Sequence, residues 1–161
     1  MAIDATPGGA TADSFVTDTD ATAYMATRLH VAEWTAAVTA DKEASLKWAS
    51  RLLDVQDWAG NVATDAQALR WPRSGVEDLE GGIFGSDIVP QWLKDATAEL
   101  ALELIKSNRT ADSDTRGFSK IKVDVIELEI DKYDRASAIP DAVYDLIRPY
   151  LASQGVTLVR T

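Results

Sequence analysis

The stretch from Pro90 to Ser107 restricts the possible folds of this chain most, because apolar residues surround much of its helical circumference. Its small and apolar side chains recur at the i, i+3, i+4, i+7 spacing of a helical face: Leu93, Ala96, Thr97, Leu100, Ala101 and Leu104. Ala98, Leu102 and Ile105 widen this stripe, so we expect the helix to be covered on more than one side. The sequence therefore predicts a central helix at 90–107.

Three more segments have helical periodicity, near residues 18–29, 40–58 and 140–152. Thr17 is predicted as the N-cap of the first helix, and a turn that holds Trp34 is expected before the second. Pro149 is expected to kink or end the last helix. We assign these residues to the inward face of the second helix: Ala44, Trp48, Val55 and either Arg51 or Leu52. The prediction is a mainly α fold with four helices.

Residues 59–89 contain five glycines and Pro72, which argue against a long regular element. Loops of this length are uncommon in small domains and usually have a function. We predict a long Gly/Pro-containing loop with Trp71, Pro72 and Arg73 as structural anchors. Its glycine-rich tip, with Ile83 and Phe84, is a candidate contact for a partner.

Residues 119–130 alternate between apolar and charged side chains, with a shift in parity at Val125 and Ile126. A β-hairpin that turns at Asp124-Val125 explains the shift, and it places Ile121 opposite Leu128 and Val123 opposite Ile126. Valine is a poor residue for so tight a turn, so a single bulged strand is the alternative. We favour the hairpin.

The predicted domain organisation has three parts. Residues 1–14 are small and polar, which indicates a flexible N-terminal arm. Residues 15–152 form a single helical domain, and residues 153–161 form a C-terminal tail. The tail alternates β-prone and polar residues, and such a strand can add to the sheet edge of a partner. Its candidate contact residues are Val156, Leu158, Val159 and Arg160.

Charge and residue types exclude several functions. The net charge of −10 argues against tight binding of single-stranded DNA, because a nucleic-acid backbone needs clustered lysine and arginine. There are no cysteines, His30 is the only histidine, and no nucleophile motif surrounds it, so we expect no enzyme activity and no cofactor. Residues 112–117 begin like a calcium loop, but Arg116 and Val123 occupy ligand positions, so no metal site is expected. No signal peptide or membrane span is indicated.

The five tryptophans are in principle suited to stacking on single-stranded bases. Trp48 and Trp92 fall on predicted helices, however, and interleaved basic residues are lacking around them. Packing in a core or an interface is therefore the favoured interpretation.

Several motifs together resemble a known family. The most specific is Leu69-Arg70-Trp71-Pro72-Arg73, and the match extends from about Phe15 to Leu151. The supporting motifs are Arg28-Leu29-His30 with Trp34, Asp41-Lys42, Ala49–Asp54, Val89-Pro90 and Ile139–Val143. The chain resembles tailed-bacteriophage head–tail connector (adaptor) proteins, a family often labelled DnaT-like single-stranded-DNA-binding protein.

The resemblance implies a four-helix connector-like domain in a structural virion protein. Such an adaptor forms a ring of about twelve copies beneath the portal protein, carries a downstream tail or neck protein, and lets genomic DNA pass without sequence-specific binding. It is assembled in the host cytoplasm and lies in the neck of the virion. Because the chain is acidic, we favour this function over the alternative, a single-stranded-DNA-binding, DnaT-like replication protein. A neck stopper or tail terminator is a third possibility.

Overall fold

Helix α4 (Gln91–Lys106) lies at the centre of the fold, as its apolar circumference predicts. In this computed structural model, the described residues are 2–111, 120–123, 126–129 and 137–152. Pro90 is the N-cap of α4, and half of the helix is buried. Four other helices pack against it: α1 (Asp18–Met25), α2 (Ala32–Ala36), α3 (Thr39–Asp54) and α5 (Asp141–Ile147). The prediction of a mainly helical chain is confirmed.

The structure contains five helices where the sequence predicts four. The extra helix is α2, in the segment expected to be a turn. Trp34 organises it, because the indole is almost completely buried and its Nε1 donates a hydrogen bond to the Thr22 hydroxyl of α1 at 3.2 Å. The four-helix connector-like arrangement is therefore not confirmed.

Helix α1 begins as predicted but ends earlier. The Thr17 side chain accepts a hydrogen bond from the Asp20 backbone N–H at 3.1 Å, so the predicted N-cap is confirmed. After Met25, the N–H groups of Thr27 and Arg28 bond to carbonyls three residues back, which tightens the chain and ends the helix. Leu29 lies beyond this helix end and is 80% exposed.

Helix α5 ends at Ile147, and a 3-10 turn continues from Arg148 to Tyr150. Pro149 lies in that turn, which confirms its predicted role as a helix terminator. The turn joins the end of α3 through two backbone hydrogen bonds, from Ala59 N to the Tyr150 carbonyl and from Ala152 N to the Asp57 carbonyl. The carboxyl ends of α3 and α5 are thereby held together.

Two short antiparallel pairs complete the described secondary structure. Strands β3 (Lys120–Val123) and β4 (Ile126–Glu129) pair with Lys120 opposite Glu129, Ile121 opposite Leu128 and Val123 opposite Ile126. This confirms the predicted hairpin register and excludes the bulged strand. Strands β1 (Asn61–Val62) and β2 (Arg73–Ser74) pair within the segment expected to be a loop.

The prediction that residues 59–89 form one long loop is not confirmed, because parts of this segment pair with each other. Besides the β1–β2 pair, an isolated bridge joins Glu77 to Ile83, and the Phe84 N–H donates to the Val76 carbonyl at 3.0 Å. At the tip, the Asp78 carboxylate accepts hydrogen bonds from the backbone N–H groups of Glu80 and Gly82 at 2.8 and 2.7 Å. Gly81, at φ 86°, allows this turn.

Residues 2–14 lie against the helices. Asp4 accepts hydrogen bonds from Thr6 N–H and the Thr11 hydroxyl, and Ser14 is buried beside Ser50 of α3. The division of the chain at residues 14 and 152 stays a prediction. The tail at 153–161 and most of the calcium-like segment at 112–117 lie outside the described residues. None of the helices that the structure describes is long and apolar enough to cross a membrane.

Candidate functional site

An aromatic cluster joins the ends of α3, α4 and α5. It consists of Trp58, Trp71, Phe84, Trp92 and Tyr150. Trp92 stacks on Tyr150 with ring centroids 4.0 Å apart, and Trp71 contacts Trp58, Phe84 and Trp92 edge-on. Trp71 is 1% exposed, in keeping with its predicted role as an anchor. Trp58, Trp71 and Tyr150 are buried, and Phe84 and Trp92 are partly buried, so the rings pack mainly against one another.

Arg73 extends the cluster with a buried guanidinium. Its Nε donates to the Ala59 carbonyl at 2.6 Å, and its Nη2 donates to the Trp58 and Gly60 carbonyls. Its Nη1 donates to the Arg70 carbonyl at 3.3 Å. Burial lowers the pKa of Arg73, and the nearby Arg70 charge lowers it further. The side chain therefore fixes the chain after α3 to the Arg70–Arg73 segment.

The inward face assigned to α3 from the sequence is wrong. The side of α3 that packs inward carries small and apolar side chains: Ser45, Leu46, Ala49, Ser50 and Leu53. Four of the residues named for the inward face instead form an exposed face, which we call the α3 stripe: Ala44, Trp48, Arg51 and Val55. Leu52, the alternative to Arg51, is partly buried against the core, in agreement with the prediction. Trp48 is 38% exposed and Val55 is 67% exposed.

The size of the side chains explains the error. The buried face of α4 also presents small residues, including Ala96, Ala98 and Ala101, so α3 and α4 pack closely only if α3 presents small residues in return. An indole does not fit such an interface, and the helix is turned with Trp48 outside. Leu46, Ala49 and Leu53 form a competing i, i+3, i+7 pattern, and this signal would have located the inward face.

The α3 stripe combines a partly exposed tryptophan with a neighbouring exposed arginine. Arg51 lies one turn after Trp48 and is exposed, and its side chain has no hydrogen bond or ion pair within the described part of the chain. Lys47, also beside Trp48, is held by Asp13 at 2.7 Å. An exposed indole with a neighbouring guanidinium is suited to stacking on a base and pairing with its phosphate.

A second arginine lies against the last turn of α3. The backbone N–H of Arg70 donates to the Asp54 carboxylate at 2.6 Å, and its Nη1 donates to the Gln56 carbonyl at 3.3 Å. Burial raises the pKa of Asp54, and the hydrogen bond from Arg70 acts in the opposite direction. Two exposed arginines, Arg51 and Arg70, thus flank Asp54.

The contacts predicted at the loop tip occupy different environments. Ile83 is 70% exposed, whereas Phe84 is partly buried in the aromatic cluster. The other predicted contacts, Val156, Leu158, Val159 and Arg160, lie outside the described residues. All six stay predictions as partner contacts.

No group of three residues suited to hold a metal ion occurs in the parts of the chain that the structure describes. The expectation that the protein is not an enzyme stays a prediction, as does its expected place in a virion.

The sequence model of the family described as "Putative DnaT-like ssDNA binding protein" matches residues 1–161. No curated protein and no solved structure shows a significant match. The family match contradicts the prediction of a head-to-tail adaptor. It also contradicts the predicted partners, which were the portal, a ring of copies and a tail protein, and the prediction that DNA passes without binding. It agrees with the alternative, a single-stranded-DNA-binding protein. The adaptor prediction weighed the charge of the whole chain instead of the charges close to one surface. Since the match spans all 161 residues, the protein belongs to this DnaT-like family.

Proposed function

We propose that this protein binds single-stranded DNA through the α3 stripe. In this proposal one base stacks on the indole of Trp48, and Arg51 pairs with an adjacent phosphate. Membership of the family supports the ligand class. The observation that carries the location is the exposure of Trp48, together with Arg51, on the side of α3 opposite to its buried residues.

The net charge of −10 is compatible with such a site because electrostatic interactions are local. At physiological salt the Debye length is about 8 Å, so distant carboxylates are screened from a bound strand. The segment 74–93 has four acidic residues and no basic residue, so part of the net negative charge belongs to a segment outside the α3 stripe. The small number of cations at the stripe predicts modest affinity.

The proposed contacts carry no sequence information. Every base has a π-face, and a phosphate is the same at every nucleotide, so stacking and phosphate pairing tolerate any sequence. Inside a duplex each base is stacked between its neighbours, so its face is not available to the indole of Trp48. We therefore expect the protein to prefer single strands over double strands. Among the bases, we expect only the small differences that follow from how strongly each base stacks.

The test is Trp48→Ala, assayed by fluorescence anisotropy with a labelled oligo(dT) of roughly 16 nucleotides, the upper range of known site sizes. Loss of one stacked base costs about 1–3 kcal/mol, so we expect binding to weaken at least fivefold. Trp48→Phe keeps a ring and should retain part of the affinity.

Ile83→Ala is the matched control, because Ile83 is also a large exposed apolar residue but lies in the acidic segment. Its affinity should equal that of the natural protein. The proposal is wrong if the natural protein does not bind oligo(dT) at low salt, or if Trp48→Ala binds as tightly as Ile83→Ala.

A further inference from the structure

Arg70 comes from a loop 19 residues beyond Arg51, yet the fold brings it to the same end of α3. Asp54 lies one turn after Arg51 on the helix, and its carboxylate accepts the Arg70 backbone N–H at 2.6 Å. The Arg70 side chain crosses the end of the helix to reach the Gln56 carbonyl. The exposed α3 stripe therefore continues into a second exposed guanidinium.

Three anchors hold Arg70 in place. The Asp54 carboxylate fixes its N–H, the Gln56 carbonyl fixes Nη1, and the buried Arg73 side chain fixes its carbonyl at 3.3 Å. Only one of the five guanidinium N–H donors is used in these contacts, which leaves Nε and Nη2 for an external acceptor. A guanidinium held in this way loses little conformational entropy when it binds a phosphate.

We propose that Arg70 is a second phosphate contact, so that a single strand follows α3 from Trp48 past Arg51 to Arg70. This inference rests on the proposed function and extends it to a strand path with at least two phosphate contacts. Trp48 and Val55 are about 10 Å apart along the helix axis, which is long enough for more than one nucleotide. Val55 supplies apolar surface between the two arginines.

The charges around this path favour a phosphate by a small margin. Arg51 and Arg70 are exposed, and Arg73 is buried next to the Arg70 carbonyl. The carboxylates that act on Arg73 are Asp54 and Asp57. The Asp54 carboxylate is already occupied by the Arg70 N–H. Because the excess is only one positive charge, each arginine should contribute a measurable share of the electrostatic attraction.

The number of phosphate contacts is measured by the salt dependence of binding. For single strands, the slope of log K against log salt concentration is about −0.7 for each phosphate neutralised. We expect Arg70→Gln to make the slope shallower by about 0.7 with the same oligo(dT) probe. Arg51→Gln should have the same effect, and the double variant should have a slope that is shallower by about 1.4. Arg70→Lys keeps the charge and should keep the slope.

Lys106→Gln is the control, because Lys106 is an exposed cation at the C-terminal end of α4 and lies outside the proposed path. It should leave the slope unchanged. Circular dichroism checks that each variant is folded, and Arg70→Ala takes the place of Arg70→Gln if that variant is not folded. A slope shallower by about 0.7 supports the path, and a slope equal to that of Lys106→Gln overturns it.

The two proposals fail in different ways. If Trp48→Ala weakens binding but Arg70→Gln leaves the slope equal to that of Lys106→Gln, the strand path is wrong and the α3 stripe stands. If the natural protein does not bind the probe, the proposed function fails and the path fails with it. A slope change in Arg70→Gln without an effect of Trp48→Ala places the strand on Arg70 and overturns a path that begins at Trp48.

Discussion

Arg73 shows how a buried charge is stabilised without a directly bonded carboxylate. Its guanidinium is 7% exposed and donates to four backbone carbonyls, which belong to Trp58, Ala59, Gly60 and Arg70. Hydrogen bonds to a charged group contribute more than neutral ones, and the planar fork of arginine reaches several acceptors at once. A lysine at this position keeps the charge but cannot reproduce the fork.

We therefore expect Arg73→Lys to lower the free energy of unfolding by about 2–3 kcal/mol, the cost of one or two lost charged hydrogen bonds. Urea unfolding followed by circular dichroism measures the change. Arg51→Lys is the control, since Arg51 is exposed and the change should stay within about 0.5 kcal/mol. Equal effects of the two substitutions would show that Arg73 is not an anchor.

At the scale of the element, the packing of α1 on α4 includes a polar contact. Tyr24 of α1 donates its hydroxyl hydrogen to the Glu99 carboxylate of α4 at 2.9 Å, and Arg28 forms an ion pair with the same carboxylate. Burial of the phenol, followed by the hydrogen bond to Glu99 and its charge, raises the pKa of Tyr24 to about 12. The neutral phenol is thus the form that the α1–α4 contact favours.

This contact predicts a loss of stability at high pH. The folded protein keeps the Tyr24 proton up to about pH 12, whereas the unfolded chain loses it near pH 10. The contribution of Tyr24 is therefore complete below pH 10 and is lost as the pH rises through 12. Ultraviolet absorbance of tyrosinate should show a step at about pH 12 that is absent in Tyr24→Phe. If the tyrosine signal that is missing in Tyr24→Phe instead titrates near pH 10, the hydrogen bond is not formed in solution.

The elements differ in how much their own sequence determines them. The pattern of α4 predicted its bounds to within a residue, because its apolar residues occupy nearly the whole circumference and no choice of inward face arises. In α3 such a choice did arise, and the large apolar side chains indicated the wrong face. The small size of Ser45, Ala49 and Ser50 determined the result, since α3 packs closely on α4.

The whole molecule has one hydrophobic core around α4. Helices α1, α2, α3 and α5 all pack on α4. A destabilising substitution at the centre of this core should therefore lower the stability of all these helices together. Leu100 is completely buried in this core. Small domains with a single core unfold cooperatively.

Leu100→Ala should therefore lower the free energy of unfolding by about 2–5 kcal/mol through loss of buried surface and creation of a cavity. Thermal melts followed by circular dichroism and by tryptophan fluorescence should shift together. Leu29→Ala, at an 80% exposed leucine, is the matched control and should change stability by less than about 0.5 kcal/mol. Separate transitions in the two signals would contradict a single core.

The sequence by itself determined the central helix, the N-cap at Thr17 and the register of the β3–β4 hairpin. Each of these depends on neighbouring residues, through periodicity, capping or alternation, so the local pattern contains the information. The tertiary structure decided that Trp48 is exposed and that Arg51 and Arg70 lie at the same end of α3. These features depend on how closely α3 packs on α4 and on the hydrogen bond from Arg70 to Asp54, and both are contacts between residues far apart in the chain.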